Sequence, residues 1–134
     1  DEFQHFVYAH PEASPAERNQ AWREIEKKYL PQRNYNGHPF LEGGGFWQKQ
    51  THIFGMPFYY IDYTLAQICA FQFWVKDRED HASAWGDYVR LCQAGGSASF
   101  LKLVALAGLN SPFAPDCVAQ LAAPVGAWLE EHVL

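Results

Sequence analysis

From Phe58 to Asp77 the chain runs without a glycine or a proline, directly behind Pro57. The stretch is apolar on nearly every side of a helix: Phe58, Ile61, Leu65, Ile68, Cys69, Phe71, Phe73, Trp74 and Val75 leave no broad polar face. A helix of that kind is covered by neighbours all round. The stretch therefore predicts a central buried helix over 58–77. Around it the sequence predicts an all-α fold, an irregular helical bundle. No period-two alternation suggests a strand.

The flanks supply the other helices. Phe3, Phe6 and Val7 repeat at helical spacing, so a first helix runs to about His10-Pro11. Ser14-Pro15-Ala16-Glu17 reads as a helix start, with Ser14 as cap, Pro15 at the first position and Glu17 completing a capping box. That helix runs to Tyr29, because Leu30 precedes Pro31. Residues 31–45 read as a polar, turn-rich loop, and Phe46 to Gln50 as a helical turn or two. Further helices are expected from Asp80 to Gln93, ending at Gly95-Gly96, and from Ser97 or Ser99 to Ala107, ending at Gly108. The last begins at Pro115 and is broken or kinked at Pro124. The opening without Met, inside a helical pattern, predicts a truncated chain or a proteolytic product.

A length of 134 residues suits one compact domain, so 1–134 is read as a single helical subdomain. Aromatic residues make up 16 % of the chain, which demands a large buried or partnered surface. The net charge is -5 and no Lys/Arg run is present, which argues against nucleic acid as a partner. No apolar run reaches membrane-spanning length, so no membrane partner is expected. Cys69, Cys92 and Cys117 form no CxxC pair and an odd set. They read as reduced thiols of a cytoplasmic protein.

Six histidines, at positions 5, 10, 38, 52, 81 and 132, raise the question of a metal. None sits in an HExxH pattern, so no metal ligand is assigned in this chain. Glu2-x-x-His5 has ligand spacing on a helix, but such motifs come in pairs, and a surface pair is the plainer reading. Gly43-Gly44-Gly45 lacks the preceding strand of a phosphate loop and reads better as a hinge or a backbone-exposing substrate loop, with Gly55 a further such position. On a helix, Tyr59, Tyr60 and Tyr63 would be neighbours, with His52 just ahead of them. Two readings fit that cluster. The phenols are core packing, or they are donors that stabilise an oxyanion together with His52.

The same residues carry a resemblance. His52-Ile53-Phe54, then Pro57-Phe58-Tyr59-Tyr60-Ile61-Asp62-Tyr63, then Ala66-Gln67 resemble the segment C-terminal to the zinc helices in oligoendopeptidase F-like peptidases. Asp1-Glu2-Phe3-Gln4, Phe46-Trp47-Gln48-x-Gln50, Tyr88-x-x-Leu91-Cys92-x-x-Gly95-Gly96-Ser97 and Ala107-Gly108-Leu109-x-Ser111-Pro112-Phe113 extend it over nearly the whole chain. The resemblance implies a fragment of a larger zincin-type helical peptidase, related to thimet oligopeptidase, that hydrolyses short peptides. It implies zinc as cofactor, held by two His of HExxH and a later Glu. All of these, and the general base, would lie upstream of Asp1, in an N-terminal portion that becomes this segment's partner. It implies substrate and oxyanion contacts from His52, Tyr63 and one of Tyr60 and Tyr59. Thimet-type spacing favours Tyr60, whereas the oligoendopeptidase pattern keeps a Tyr at position 59. It also implies that Gly43 to Gly45 belong to a mobile loop over the cleft. The rival reading is a non-catalytic helical interaction module whose aromatic groove takes a partner helix.

Overall fold

Ser14 starts the second helix in the way its sequence requires: its hydroxyl accepts from the Glu17 amide at 3.3 Å, and the Glu17 carboxylate accepts from the Ser14 amide at 2.8 Å. Such reciprocal caps satisfy two amides that the helix cannot satisfy internally. The computed structural model describes residues 1–133. The helices are α1 (Glu2–Ala9), α2 (Pro15–Tyr29), α3 (Pro39–Glu42), α4 (Thr51–Gly55), α5 (Ile61–Glu79), α6 (His81–Ala94), α7 (Phe100–Leu106) and α8 (Cys117–His132), with a 3-10 helix over Gly45–Lys49. No strand occurs among the described residues, so the all-α expectation holds. No helix among them is long and apolar enough to cross a membrane. Contacts divide the chain, read from sequence as a single subdomain, into two compact units, Asp1–Asp62 and the residues from Tyr63 onward.

The first unit is organised by Phe3, only 2 % exposed. Its ring meets Trp22 of α2 edge-on at 5.2 Å and Trp47 of the 3-10 helix at 5.2 Å. Burying a Phe side chain contributes about 1.5–3 kcal/mol, and each aromatic pair adds about 0.5–1.5 kcal/mol. The Trp47 indole N–H donates to Asn19 Oδ1 at 2.8 Å, tying the 3-10 helix to α2. Buried Glu26 would be costly alone. It accepts from Arg23 at 2.9 Å and from the Tyr35 hydroxyl at 2.5 Å, while Arg23 also donates to Glu42 at 2.8 Å.

The loop expected over 31–45 is shorter in the structure. Pro39 opens α3, and the 3-10 helix begins at Gly45. The reason lies in the glycines. Gly44 has φ +89, and a Cβ there would collide with the backbone carbonyl of Asn19. A Cβ on Gly45 would strike the Phe40 ring. Close approach to α2 and to Phe40 thus requires glycine at both positions.

In the second unit α5 lies among α6, α7 and α8. Cys69 and Phe73 pack with Leu91 on Val104, Ala107 and Leu109. Phe73 meets Tyr88 edge-on at 5.6 Å, and Trp74 meets Trp128 edge-on at 5.7 Å. Gln72 grips the chain after α7 from both sides of its amide: Nε2 donates to the Asn110 carbonyl at 3.0 Å, and Oε1 accepts from the Asn110 amide at 2.7 Å. Helix α7 closes with a Schellman motif. Gly108 is left-handed at φ +62, its amide bonds to Ala105 O, and the Leu109 amide bonds to Val104 O. The Lys76 ammonium caps the same corner, donating to the carbonyls of Ala107 and Gly108 and to Asp87. That hydrogen bond to Lys76 holds the Asp87 carboxyl below its usual range.

Two helix starts, the break at Pro124 and one burial expectation need correction. The central helix begins at Ile61, not Phe58, and the last begins at Cys117 and continues through Pro124. A proline inside the helix forfeits one bond, yet the helix runs on, and beyond Pro124 Trp128 meets Trp74 of α5 edge-on. The central helix is not covered on every side: Gln72 is its buried residue, and the face bearing Tyr63, Gln67, Phe71 and Trp74 borders an open apolar groove against α8.

Two predictions follow from the first unit. Gly44→Ala lowers stability by at least about 3 kcal/mol. Gly37→Ala, at φ +75 with open space around it, costs only the backbone strain of about 1–2 kcal/mol. Equal losses in chemical unfolding would contradict the close-approach argument. Burial, with the Glu26 carboxylate second, pushes the Tyr35 phenol up from 10.0 to about 12. Because the folded value is the higher one, this stabilisation is complete below pH 10 and is lost as pH rises toward 12. Unfolding free energy measured from pH 9 to 12 should therefore fall more steeply in the wild type than in Tyr35→Phe; parallel profiles would refute it.

Candidate functional site

His52 is the second residue of α4, and the helix ends just behind it. The Met56 amide donates to the His52 carbonyl at 3.0 Å. Met56 itself has left the helical region, with φ -143 and ψ 76, because the following Pro57 disfavours helical geometry there. Phe58 then takes φ 59, a left-handed conformation that a bulky residue rarely adopts. Such strain costs about 1–3 kcal/mol and persists only where the surroundings enforce it. Here they do. The Phe58 amide donates to Gln4 Oε1 at 3.3 Å, and its ring lies against His5 at 4.7 Å and Tyr8 at 5.2 Å, all three on α1.

This turn corrects the expected arrangement of the tyrosines. Tyr59 and Tyr60 are not on the helix; they lie on the turn between α4 and α5, and Tyr63 alone of the three is helical. The cause is local. Proline excludes helix at Met56, and a left-handed Phe58 cannot be part of a right-handed helix. The first bond of α5 then runs from the Asp62 amide to the Tyr59 carbonyl, at 3.0 Å.

The turn brings His52 to two of the three tyrosines. The imidazole meets the Tyr60 ring edge-on at 4.7 Å and an interplanar angle of 81°. It lies parallel to Tyr59, at 6.0 Å and 18°. Edge-to-face contact points the positive rim of one ring at the negative face of the other and fixes both planes. Tyr60 is 43 % exposed, so the pair is accessible. A phenol is a hydrogen-bond donor at neutral pH, and an imidazole can donate or accept. Tyr63 is 53 % exposed and belongs to the second unit, where it stands at one end of the apolar groove with Ile68 and Val118. The groove measures about 510 Å³ at this end. A Cβ on Gly55 would meet nothing within 4 Å, so its surroundings are open. Gly43, Gly44 and Gly45 lie at the α3 turn described above, where Gly44 approaches α2 and Gly45 is buried against Phe40.

Among the described residues, no group of three His, Cys, Asp or Glu is placed to hold a metal ion. Glu2 is engaged by Lys28 at 2.9 Å and by the Tyr29 hydroxyl at 2.5 Å, and His5 pairs with Asp1 at 3.2 Å. The bond from Tyr29, followed by that from Lys28, holds the Glu2 carboxyl below its ordinary range. The Glu2-x-x-His5 spacing is thus taken up by separate surface pairs.

Sequence reasoning missed Gln4 and the conformation of Phe58. A left-handed aromatic leaves no compositional trace. Gln4 left a faint one, since it sits beside Phe3 and one turn before Val7, on the rim of the apolar stripe.

Solved structures place this arrangement among known proteins. PZ peptidase A with inhibitor 2 is similar at 56 % identity and a TM-score of 0.93, over 98 % of this chain and 24 % of that one. A protein called oligoendopeptidase F is similar at 57 % identity and a TM-score of 0.93, over 98 % of this chain and 23 % of that one. Another oligoendopeptidase F, from Bacillus anthracis str. Ames, is similar at 52 % identity and a TM-score of 0.75, over 98 % and 20 %. The chain thus spans about a quarter or less of the length of these relatives. No family model matches the chain, and no curated protein matches it.

Proposed function

We propose that the chain, which belongs with the oligoendopeptidase F-like peptidases, supplies the substrate-holding and oxyanion-stabilising groups of a zinc-dependent oligopeptidase acting on short peptides. The observation that carries the reading is the accessible His52–Tyr60 pair, set edge-on at 4.7 Å on a strained turn. Core packing gives no reason for such strain, whereas a site that must aim donors does.

In this reading His52 and the Tyr60 hydroxyl donate to the scissile carbonyl as negative charge develops on its oxygen, and the family resemblance adds the Tyr63 phenol as a further substrate contact. Tyr59, parallel to the His52 ring, contacts the peptide beside them. Gly55, open on its outer side, lets the substrate backbone pass, while Gly44 and Gly45 keep the packing role given to them above. No group of three His, Cys, Asp or Glu among the described residues fits zinc. Its ligands and the general base belong to the remaining portion of the polypeptide, which is this segment's partner. The three free thiols suit a reducing compartment.

Two outcomes are expected with a quenched fluorescent peptide. In the intact enzyme, His52→Ala, Tyr60→Phe and Tyr63→Phe each lower kcat by about 10²–10³-fold. Tyr59→Phe changes it little. Activity within twofold of wild type in all four would overturn the reading. The 1–134 chain by itself should hydrolyse no peptide; chelator-sensitive cleavage by the purified chain would place the whole catalytic apparatus within it, against this proposal.

A further inference from the structure

Helix α1 carries a buried glutamine that the proposed chemistry does not use. Gln4 is 3 % exposed, and its Oε1 accepts from the Phe58 amide at 3.3 Å, across more than fifty residues of sequence. Its Nε2 is buried without a hydrogen-bond partner among the described residues. A half-satisfied amide is an unfavourable occupant for a site that Met or Leu could fill with apolar atoms alone. Orphaned polar groups of this kind mark strained or catalytic places.

The strain lies at the other end of the bond. Phe58 holds φ 59, and the next two residues are the tyrosines whose rings meet His52. Neighbours of Gln4 on the same helix complete the clamp, His5 and Tyr8 lying against the Phe58 ring. If Phe58 relaxed to an ordinary φ, the backbone direction would change immediately before Tyr59 and Tyr60. The edge-on contact of His52 with Tyr60 depends on that direction.

We infer that Gln4 is a positioning residue: its side-chain carbonyl holds the Phe58 amide, keeps that residue left-handed, and so aims the His52–Tyr60 pair at the substrate. The inference rests on the reading of that pair given above. Gln4 does not itself meet the substrate.

The test is a double-mutant cycle in the intact enzyme, with kcat and KM measured on a quenched peptide and amide exchange measured at Phe58. Gln4→Met keeps the volume and removes the acceptor. It should lower kcat about tenfold, leave KM within twofold, and speed exchange at Phe58. Glycine adopts φ near +59 without assistance. In the Phe58→Gly background, Gln4→Met should therefore cost little further activity. An equal loss in both backgrounds would show that Gln4 acts only through the stability of α1, and would overturn the inference. So would wild-type kcat in Gln4→Met beside an impaired His52→Ala. Wild-type activity in His52→Ala would instead overturn the reading of the pair, whatever the exchange at Phe58 shows.

Discussion

Phe3, sealed between the indoles of Trp22 and Trp47, fixes the one helix on which the first unit depends. Helix α1 is short, and an isolated helix of eight residues is not stable in water. Its order comes from that aromatic contact. Once Phe3 is fixed, Gln4, His5 and Tyr8 are fixed with it, and these are the residues that hold Phe58. The bond from Trp47 to Asn19, and the approach of Gly44 to the same residue's carbonyl, lock the other side of the unit. A packing constraint at the start of the chain thus sets the conformation of a turn more than fifty residues later.

The second unit works by a different balance. Its corner at α7 is secured by polar groups, with Gln72 on the Asn110 backbone and Lys76 on the end of α7. Each bond is modest by itself, about 0.5–1.5 kcal/mol net, but losing one partner leaves a buried group unsatisfied. The opposite face of α5 is less complete. Apolar side chains of α5 and α8 line an open groove there. For a chain that spans about a quarter of its relatives, an uncovered apolar face fits a segment that belongs to a larger body.

Much of the fold was legible in the residues. The Ser14-x-x-Glu17 box, Pro15 and Pro31 bounded α2 through purely local chemistry, and the Gly108 stop of α7 was equally readable. The errors came from tertiary effects. Phe58 looks like the first residue of an apolar helix, and only the contacts from α1 reveal why it turns left-handed. The glycine run looks like a flexible loop until Asn19 and Phe40 appear beside it. Complete burial of α5 was inferred from composition, and composition does not say which chain segment supplies the cover. For the candidate site, chemistry and resemblance single out His52 and its tyrosine neighbours. Their geometry was not legible, because it arises from a turn that helical spacing cannot describe.

The central claim is that this turn presents His52 and Tyr60 as hydrogen-bond donors to a substrate oxyanion. A crystal structure of the intact protein with a tetrahedral, anionic peptide analogue tests it directly. The account predicts an anionic oxygen of the analogue within about 2.7–3.1 Å of both the His52 ring nitrogen and the Tyr60 hydroxyl, with Phe58 still left-handed. A structure in which the analogue binds elsewhere, with the Tyr60 hydroxyl turned to a backbone carbonyl, would contradict it.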